Sequence, residues 1–363
     1  MKIIFAGGGT GGHLYPAIAV AREISERLPE TKIKFIIGNR DIEKKIVGDA
    51  GYDYSTLNVS GLPRKLSPKI FSFIWKLKIS IMKSMLIMRK FKPSVILATG
   101  GYVSGPSVIA ARIMRIPVCM QEQNSYPGIT TKKLSRFTDM VFLGFKDAGC
   151  FFSEKVNTVV TGNPVRKELL GVFLANSSAE FGLNPNLKTV LVIGGSQGAG
   201  RINSGMSKIV KTLADNNFQI IWQTGANELK KWENLSKYAP EVIKIVPYLN
   251  NMGAAYSVAD VVVSRAGAMA VAEIAACGLP AIFVPLASAA ENHQEHNAVS
   301  LVENGSAIMI TENDFTPEKL LNEITGILNS PEKSAEMKEK MKNFGRTNAA
   351  GVIAETIIKR YGN

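Results

Sequence analysis

Residues 2–13 read Lys-Ile-Ile-Phe-Ala-Gly-Gly-Gly-Thr-Gly-Gly-His, a short apolar run that passes directly into a glycine-rich loop. The apolar residues that follow recur at helical spacing from Leu14 to Ile24, so the pattern predicts a strand, a tight turn and a helix. Such a turn brings backbone N–H groups and the positive end of a helix to one point, which favours an anion such as a diphosphate. The segment therefore predicts an α/β fold with an anion site after its first strand.

The second half of the chain contains another copy of this pattern. Residues 189–193 are apolar, residues 194–200 read Gly-Gly-Ser-Gln-Gly-Ala-Gly, and residues 202–213 have helical periodicity. A chain of 363 residues is long for a single hydrophobic core. We therefore predict two Rossmann-like, doubly wound α/β domains that face a cleft.

Short apolar runs alternate with helical patterns along both halves, which predicts parallel sheets covered on both faces. The predicted strands are 2–6, 32–37, 53–57, 94–98, 117–121, 139–143, 189–193, 218–222, 242–246, 260–263, 280–284 and 306–309. The predicted helices are 12–28, 41–50, 69–90, 104–114, 128–136, 200–214, 251–257, 268–277, 295–304, 316–329 and 332–344. Gly162-Asn163-Pro164 interrupts the periodicity, so we place one domain at 1–163 and the other at 164–345. Residues 346–363 are expected to form a helix that packs back on the first domain.

Basic charge is concentrated in the first half. The formal net charge is +13, and residues 1–163 hold 24 Lys and Arg against 11 Asp and Glu, whereas residues 164–363 hold 19 of each. No acidic residue occurs between Asp53 and Glu122, where eleven basic residues lie. This asymmetry predicts an anionic partner, either nucleic acid or a membrane surface.

The predicted helix 69–90 favours the membrane surface. Lysines recur in it every seven residues, at Lys69, Lys76, Lys83 and Lys90, and aromatic and aliphatic residues fill much of the remainder. Basic and aromatic residues on one helix suit an anionic bilayer surface. The alternative is an ordinary packed helix with a solvated lysine face, which would show the same pattern. No recognisable nucleic-acid-binding motif accompanies the charge, so we predict no nucleic-acid partner.

The first glycine loop also matches the G-x-G-x-x-G pattern of dinucleotide sites. A dinucleotide site would need an acidic residue at the end of the second strand, where this chain reads Ile37-Gly38-Asn39-Arg40. That difference disfavours the dinucleotide interpretation. His13 follows the loop on the first turn of the helix, where it is either a structural residue or a functional group beside the anion site.

Residues 264–280 form a second distinctive block. Gly267 permits a tight turn into a helix of small residues, which lets a ligand approach the helix N-terminus. Glu273 lies in that otherwise apolar helix, where a carboxylate is costly unless it is paired or binds a ligand. A ribose offers two hydroxyls to such a carboxylate, but a solvent-facing position on the helix is the alternative.

Together these blocks resemble the GT-B glycosyltransferases of family 28. The matching segments run in order along the whole chain: 7–13, 99–106, 122–124, 162–166, 194–198, the helix ending at Glu273, and 292–294. The resemblance implies an inverting enzyme that moves N-acetylglucosamine from UDP-GlcNAc to the muramyl 4-hydroxyl of lipid I, the undecaprenyl-linked precursor. It also implies a peripheral location on the cytoplasmic face of the membrane, and contacts with cell-wall synthesis and division proteins.

The resemblance assigns roles residue by residue. Thr10, Gly11 and Gly12 would face the donor sugar and the acceptor, Asn124 and Gln294 would bind the N-acetylglucosamine, and Arg166 and Ser196 would contact the diphosphate or its surroundings. Backbone groups near Leu249 would bind the uracil, Ala268, Met269 and Ala270 the phosphates, and Glu273 the ribose. Tyr102 and Lys132 match positions on the acceptor side.

The acceptor hydroxyl needs a base, and His13 is the expected one, with Glu122 beside Asn124 as the competing candidate. No D-x-D sequence occurs, so we predict no essential metal and no other cofactor. Two alternatives remain: a GT-B glycosyltransferase with another lipid or aglycone acceptor, and a non-catalytic UDP-sugar-binding membrane module. The second is disfavoured because a binding module has no need of both loops together with His13 and Glu273.

Overall fold

A computed structural model describes residues 1–59, 69–170, 177–195 and 198–362, which form two compact α/β units. The first unit is Met1–Arg166 together with Thr347–Asn363, and the second is Lys167–Arg346. The chain thus leaves the first unit after Arg166, slightly later than the boundary at residue 163 that the sequence suggested.

The first unit is built on a seven-stranded parallel sheet with strand order β3-β2-β1-β4-β5-β6-β7. Its strands are β1 Lys2–Gly7, β2 Lys32–Ile37, β3 Asp53–Thr56, β4 Val95–Gly100, β5 Val118–Glu122, β6 Met140–Leu143 and β7 Thr158–Val160. Its helices are α1 Gly11–Arg27, α2 Asp41–Asp49, α3 Lys69–Phe91, α4 Ser104–Ile113, α5 Ile129–Leu134 and the C-terminal helix Ala349–Tyr361, with short 3₁₀ turns at Ser135–Phe137 and Lys146–Phe151. Residues 3–6 of β1 are fully buried, as expected for a parallel strand covered on both faces.

The C-terminal helix packs on α1. Ala350, Ile353, Ala354 and Ile357 are buried in the same core cluster as the apolar face of α1. Burying an isoleucine side chain contributes about 1.5–3 kcal/mol to folding, so this contact is a substantial part of the unit's core.

The second unit contains a six-stranded parallel sheet with strand order β10-β9-β8-β11-β12-β13. Its strands are β8 Thr189–Ile193, β9 Gln219–Gln223, β10 Ile243–Val246, β11 Val261–Ser264, β12 Ala281–Phe283 and β13 Ala307–Met309. Its helices are α6 Ser177–Glu180, α7 Gly200–Asp215, α8 Leu229–Trp232, α9 Met252–Val258, α10 Ala268–Ala276, α11 His293–Glu303, α12 Pro317–Leu328 and α13 Pro331–Phe344, with 3₁₀ turns at Lys167–Leu169, Glu233–Tyr238 and Ala290–Asn292.

Each sheet has one point where the strand order reverses direction. In the first unit the chain goes from β1 towards β2 but from β4 towards β5, and in the second it goes from β8 towards β9 but from β11 towards β12. Loops that leave two adjacent strands in opposite directions open a crevice at the carboxyl edge of the sheet, where open α/β proteins bind ligands. Both glycine-rich loops, and the turn that contains Gly267, lie at these two points.

Candidate active site

The crevice of the first unit is formed by two loops in direct contact, the one after β1 and the one after β4. The amide of Gly8 donates a hydrogen bond to the Gly100 carbonyl at 3.3 Å. Gly101 has φ +79°, and a Cβ there would overlap the carbonyl oxygen of Gly8. Glycine is therefore required at Gly101, both for its backbone conformation and for the close approach of the two loops.

His13 lies on the first turn of α1, above the loop after β4. Its Nδ1 is 3.1 Å from Oε1 of Gln123, and a Cβ at Gly100 would lie 2.7 Å from that same nitrogen. Thr10 is exposed at the start of α1, where its side chain makes no capping hydrogen bond. The leading N–H groups of α1, at Gly11 and Gly12, have no acceptor one turn earlier in the helix, so they suit an anionic or polar ligand group.

Glu122, the competing candidate for the base, is 3% exposed and binds its own loop. Its Oε1 accepts hydrogen bonds from the backbone and the side-chain amide of Asn124, both at 3.0 Å, and its Oε2 accepts one from the Gly128 N–H at 3.3 Å. These bonds stabilise the carboxylate and fix the position of Asn124. The geometry therefore suits a residue that supports Asn124 better than one that removes a substrate proton.

The remaining predicted residues of the first unit are held by aromatic contacts or are exposed. Tyr102, which follows β4, is 58% exposed. The Lys132 ammonium lies 4.2 Å from the centre of the Tyr126 ring, and the Arg166 guanidinium lies 4.7 Å from the centre of the Tyr15 ring.

Two residues that support the first glycine loop were missed at the sequence level. Nη1 of Arg40 donates to the Gly9 carbonyl at 2.9 Å, and the buried carboxylate of Glu43 accepts the Gly38 N–H at 2.6 Å. A carboxylate does lie at the end of the second strand, but it is 2% exposed and accepts a backbone N–H, so it does not offer the ribose contact of a dinucleotide site. It comes from the first turn of α2, and a Cβ on Gly8 would lie 2.5 Å from its Oε2. The only sequence signal was an acidic residue at the start of a helix.

In the second unit, the N-terminus of α10 offers backbone N–H groups to a ligand. The bond from Val271 N–H to the Gly267 carbonyl, at 2.9 Å, begins the helical hydrogen bonding. The N–H groups of the preceding Ala268, Met269 and Ala270 are not used within the helix, and a Cβ on Gly267 would meet nothing within 4 Å. Asn297, which is fully buried and was not predicted, secures this turn by donating to the Ala266 carbonyl at 3.1 Å.

Glu273 is 8% exposed, and among the described residues of the second unit it is the one charged residue that is buried. The hydroxyl of Tyr256, from α9, donates to its Oε2 at 3.3 Å. Burial and the negative charge of Glu273 together raise the pKa of the Cys277 thiol to about 12.

Leu249 and Gln294, two other predicted residues of this unit, each have one polar group in a hydrogen bond within the protein. The Leu249 N–H donates to Oε1 of Gln223 at 3.1 Å, and Gln223 in turn donates to the Gly195 carbonyl at 2.9 Å. Oε1 of Gln294 accepts the Leu286 N–H at 3.0 Å. Ser196 lies outside the described residues.

Helix α3 presents large apolar side chains to solvent. Phe71, Trp75, Ile79, Met82 and Leu86 are 80, 67, 48, 64 and 66% exposed, and they recur every three or four residues. We call these five residues the apolar face of α3. The buried side of the helix carries Ser80, Ser84 and Met88, and Lys76, Lys83 and Lys90 are exposed. Within the described ranges, no helix combines the length and the apolar character needed to cross a bilayer.

Two family models cover most of the chain. The glycosyltransferase family 28 N-terminal domain matches residues 3–143, and the family 28 C-terminal domain matches residues 189–354. The chain therefore belongs to glycosyltransferase family 28 and is an enzyme that transfers a sugar.

Two similar proteins have names that specify the sugar they transfer and its acceptor. A protein of Caldanaerobacter subterraneus subsp. tengcongensis is 38% identical over 98% of this chain and 99% of its own length. One from Desulforamulus reducens is 40% identical over 99% of this chain and 98% of its own length. Both are named UDP-N-acetylglucosamine--N-acetylmuramyl-(pentapeptide) pyrophosphoryl-undecaprenol N-acetylglucosamine transferase.

Solved structures share this fold. The crystal structure of Acinetobacter baumannii MurG is 28% identical, with a TM-score of 0.78 over 99% of both chains. A UDP-GlcNAc 2-epimerase from Neisseria meningitidis, solved with UDP-GlcNAc, has a TM-score of 0.70 at 15% identity, with 99% of this chain and 100% of that chain covered. At that identity the second likeness concerns the fold alone.

Proposed function

We propose that this enzyme transfers N-acetylglucosamine from UDP-GlcNAc to the 4-hydroxyl of the muramyl sugar of lipid I, with inversion to a β-1,4 linkage. The observation that carries the proposal is the identity of 38–40% over nearly the whole chain to transferases that bear this name. The crevices at the carboxyl edges of the two sheets, with their polar residues, support the proposal.

The second unit supplies the donor site in this proposal. The free N–H groups at the start of α10 neutralise the diphosphate, so that UDP becomes a better leaving group, and Glu273 accepts the ribose hydroxyls. Arg166 and Ser196 keep the diphosphate contacts that the family resemblance implies.

Leu249 and Gln294 each use one polar group in a hydrogen bond within the protein, which determines the group that each offers to UDP-GlcNAc. Because the Leu249 N–H is bound to Gln223, the group that Leu249 offers to uracil is its carbonyl oxygen, which accepts the N3–H. Because Gln294 Oε1 is bound to the Leu286 N–H, Gln294 contacts the sugar as a donor through Nε2. A sugar hydroxyl is a suitable acceptor for that donor.

The first unit supplies the base. His13 takes the proton of the acceptor hydroxyl as its oxygen forms a bond to the anomeric carbon, while the bond from that carbon to the phosphate oxygen breaks and UDP leaves. Glu122 is assigned to holding Asn124, which contacts the N-acetylglucosamine. Thr10, Gly11, Gly12, Tyr102 and Lys132 are proposed contacts of the donor sugar and acceptor.

We further propose that the apolar face of α3 and its lysines bind the anionic cytoplasmic surface of the membrane. Five exposed apolar side chains on one helix bury their surface when inserted at the headgroup boundary, and nearby lysines are attracted to anionic lipid. A polyprenyl-linked acceptor is embedded in that same surface.

The test is UDP release by the pure protein from UDP-GlcNAc with a short-chain lipid I analogue. The expected result is stoichiometric formation of UDP and of a disaccharide lipid with a β-1,4 linkage. A matched analogue that lacks the muramyl 4-hydroxyl is the control and should give no product. Turnover of other aglycones but not of lipid I would overturn the acceptor assignment, and UDP-GlcNAc binding without turnover of any acceptor would indicate a binding module.

A further inference from the structure

The imidazole of His13 is connected to a chain of three buried amide side chains in the first unit. Nδ1 of His13 is 3.1 Å from Oε1 of Gln123. Nε2 of Gln123 donates to the Thr99 carbonyl at 2.7 Å and is also bonded to Oε1 of Gln121. Nε2 of Gln121 donates to Oδ1 of Asn163 at 2.9 Å, and Nδ2 of Asn163 donates to the Gln123 carbonyl at 2.9 Å.

Two backbone carbonyls fix the direction of every bond in this chain. A carbonyl oxygen can only accept, so Asn163 must present its NH₂ group to the Gln123 carbonyl and its oxygen to Gln121. Gln121 then presents its own oxygen to Gln123. The Thr99 carbonyl and this Gln121 oxygen both require the NH₂ group of Gln123, so turning the Gln123 amide over would place its oxygen against two other oxygens. The only orientation without such a clash directs Oε1 of Gln123 at His13.

An amide oxygen cannot donate, so Nδ1 of neutral His13 must carry the ring proton. Nε2 is then the nitrogen with the lone pair. Free histidine in water prefers the opposite tautomer, with the proton on Nε2, in which that nitrogen cannot accept a proton. We propose that Gln123 is a positioning residue that holds His13 in the Nδ1–H tautomer, so that Nε2 is the proton acceptor. The catalytic consequence rests on the proposed role of His13 as base, whereas the tautomer itself does not.

The geometry around the ring reinforces this assignment. Gln121, Gln123, Thr99 and Asn163 are at most 3% exposed, so water has little access to the amide chain. The absence of a side chain at Gly100 lets the ring approach the loop closely, since a Cβ there would be 2.7 Å from Nδ1. The amide groups of Gln121, Gln123 and Asn163 are all hydrogen-bonded, and a buried polar network satisfied in this way defines one arrangement of its members.

The test measures the tautomer directly. The chain contains three histidines, His13, His293 and His296, so ¹⁵N-histidine labelling gives few signals, and a His13→Gln variant identifies those of His13. In the unmodified protein at a pH where His13 is neutral, we expect the unprotonated-nitrogen signal on Nε2. In Gln123→Met, which keeps the length of the side chain but has no amide, that signal should move to Nδ1 as the ring adopts the tautomer of free histidine.

Gln121→Met is the matched control, because it makes the same change two residues away without touching His13. Thr99 still orients Gln123 in that variant, so the His13 tautomer should remain Nδ1–H. A His13 that is Nε2–H in the unmodified protein, or Nδ1–H in Gln123→Met, would overturn the proposal.

Kinetic measurements distinguish the positioning role of Gln123 from the proposed role of His13 as the general base. If His13 is the base, Gln123→Met should lower kcat about tenfold, the worth of a net hydrogen bond, while the Kd for UDP stays unchanged. If the tautomer changes as expected but His13→Ala retains kcat, the positioning role of Gln123 stands and the assignment of the base falls. A Gln123→Met protein that shows the same tautomer and a lower kcat would make Gln123 merely structural.

Discussion

The hydroxyl of Tyr256 lies 3.3 Å from Oε2 of Glu273 and donates to it in the interior of the second unit. Both residues are largely buried, at 3 and 8% exposure, and a carboxylate without a hydrogen-bond partner would be costly in such a place. The Tyr256 bond also restricts the directions in which the carboxylate can turn. Glu273 is thereby oriented before any ligand binds.

Replacing Glu273 by alanine should weaken donor binding. The lost charge-assisted bonds to ribose are worth about 1.5–3 kcal/mol, so the KM for UDP-GlcNAc should rise about ten- to a hundredfold with a smaller change in kcat. Steady-state kinetics at saturating acceptor measures this. An unchanged donor KM in a folded variant would exclude the ribose role.

Tyr256→Phe should have a weaker effect of the same kind, because it removes the orienting bond but keeps the carboxylate. The Tyr256 bond is long, at 3.3 Å, and acts on UDP-GlcNAc only through Glu273. We therefore expect a loss of about 0.5–1.5 kcal/mol, the net worth of an ordinary hydrogen bond, and a rise of up to about tenfold in the KM for UDP-GlcNAc. Tyr238→Phe is the matched control, since the Tyr238 hydroxyl is bonded at 2.8 Å to Asp215 on the exposed surface of the same unit. Equal effects of the two substitutions would mean that the Tyr256 contact does not act through Glu273.

His13→Ala should lower kcat by about 10²–10⁴-fold, the usual contribution of general base catalysis. UDP binding, measured by calorimetry, should remain close to normal because the proposed uracil, ribose and phosphate contacts do not involve His13. A near-normal kcat combined with much weaker donor binding would make His13 a binding residue.

Sedimentation with vesicles tests the apolar face of α3 and its lysines. Binding should increase with the content of anionic lipid and decrease with salt, because each lysine near the surface contributes about 1 kcal/mol. Reversing Lys76 and Lys83 to glutamate should weaken binding by tenfold or more, whereas the same reversal at the exposed Lys208 and Lys211 of α7 should have little effect. Turnover of a detergent-soluble acceptor should be retained in both variants. Equal binding to neutral and anionic vesicles would contradict the electrostatic contribution.

The three cysteines should differ sharply in their reaction with a thiol reagent. Burial raises the pKa of Cys119 to about 12, and burial with the Glu273 charge raises that of Cys277 to about 12, whereas Cys150 is exposed. A raised thiol pKa means less thiolate at a given pH, so at pH 8 the buried Cys119 and the partly buried Cys277 should both react slowly. We expect one fast equivalent in the native protein, lost in Cys150→Ser, and three equivalents after unfolding.

Glu273→Gln provides an internal check on that result. Removing the carboxylate charge lowers the pKa of Cys277 but leaves Cys119 unaffected, so only Cys277 should react faster. Two fast equivalents in the unmodified native protein would contradict the raised pKa of one of these two thiols.

The features that could be predicted from the sequence are local ones. The first strand and its glycine loop are encoded by neighbouring residues, and so is the turn at Gly267 with its helix of small residues. The partners that orient the site residues could not be predicted, because His13 and Gln123 are 110 positions apart and Leu249 and Gln223 are 26 apart. Such pairs exist only after the strands have taken their order in the sheet.

Some elements were missed because their patterns are weak. β7, Thr158–Val160, is a three-residue edge strand, too short to show alternation. The segment that contains α8 and the 3₁₀ turn Glu233–Tyr238 is mostly polar and has no helical period. Its two turns follow from the packing of the chain rather than from a signal within the segment.

The packing of the C-terminal helix on α1 also has a consequence for biosynthesis. On the ribosome, the entire second unit is synthesised before residues 347–362, so it can complete its own core first. The first unit, although its strands are made earlier, leaves the part of α1 that packs on the C-terminal helix uncovered until residues 347–362 emerge. The amino-terminal half of the enzyme is therefore the last to reach its finished state, and a fragment that ends near residue 166 would expose an aggregation-prone surface unless the C-terminal helix were supplied with it.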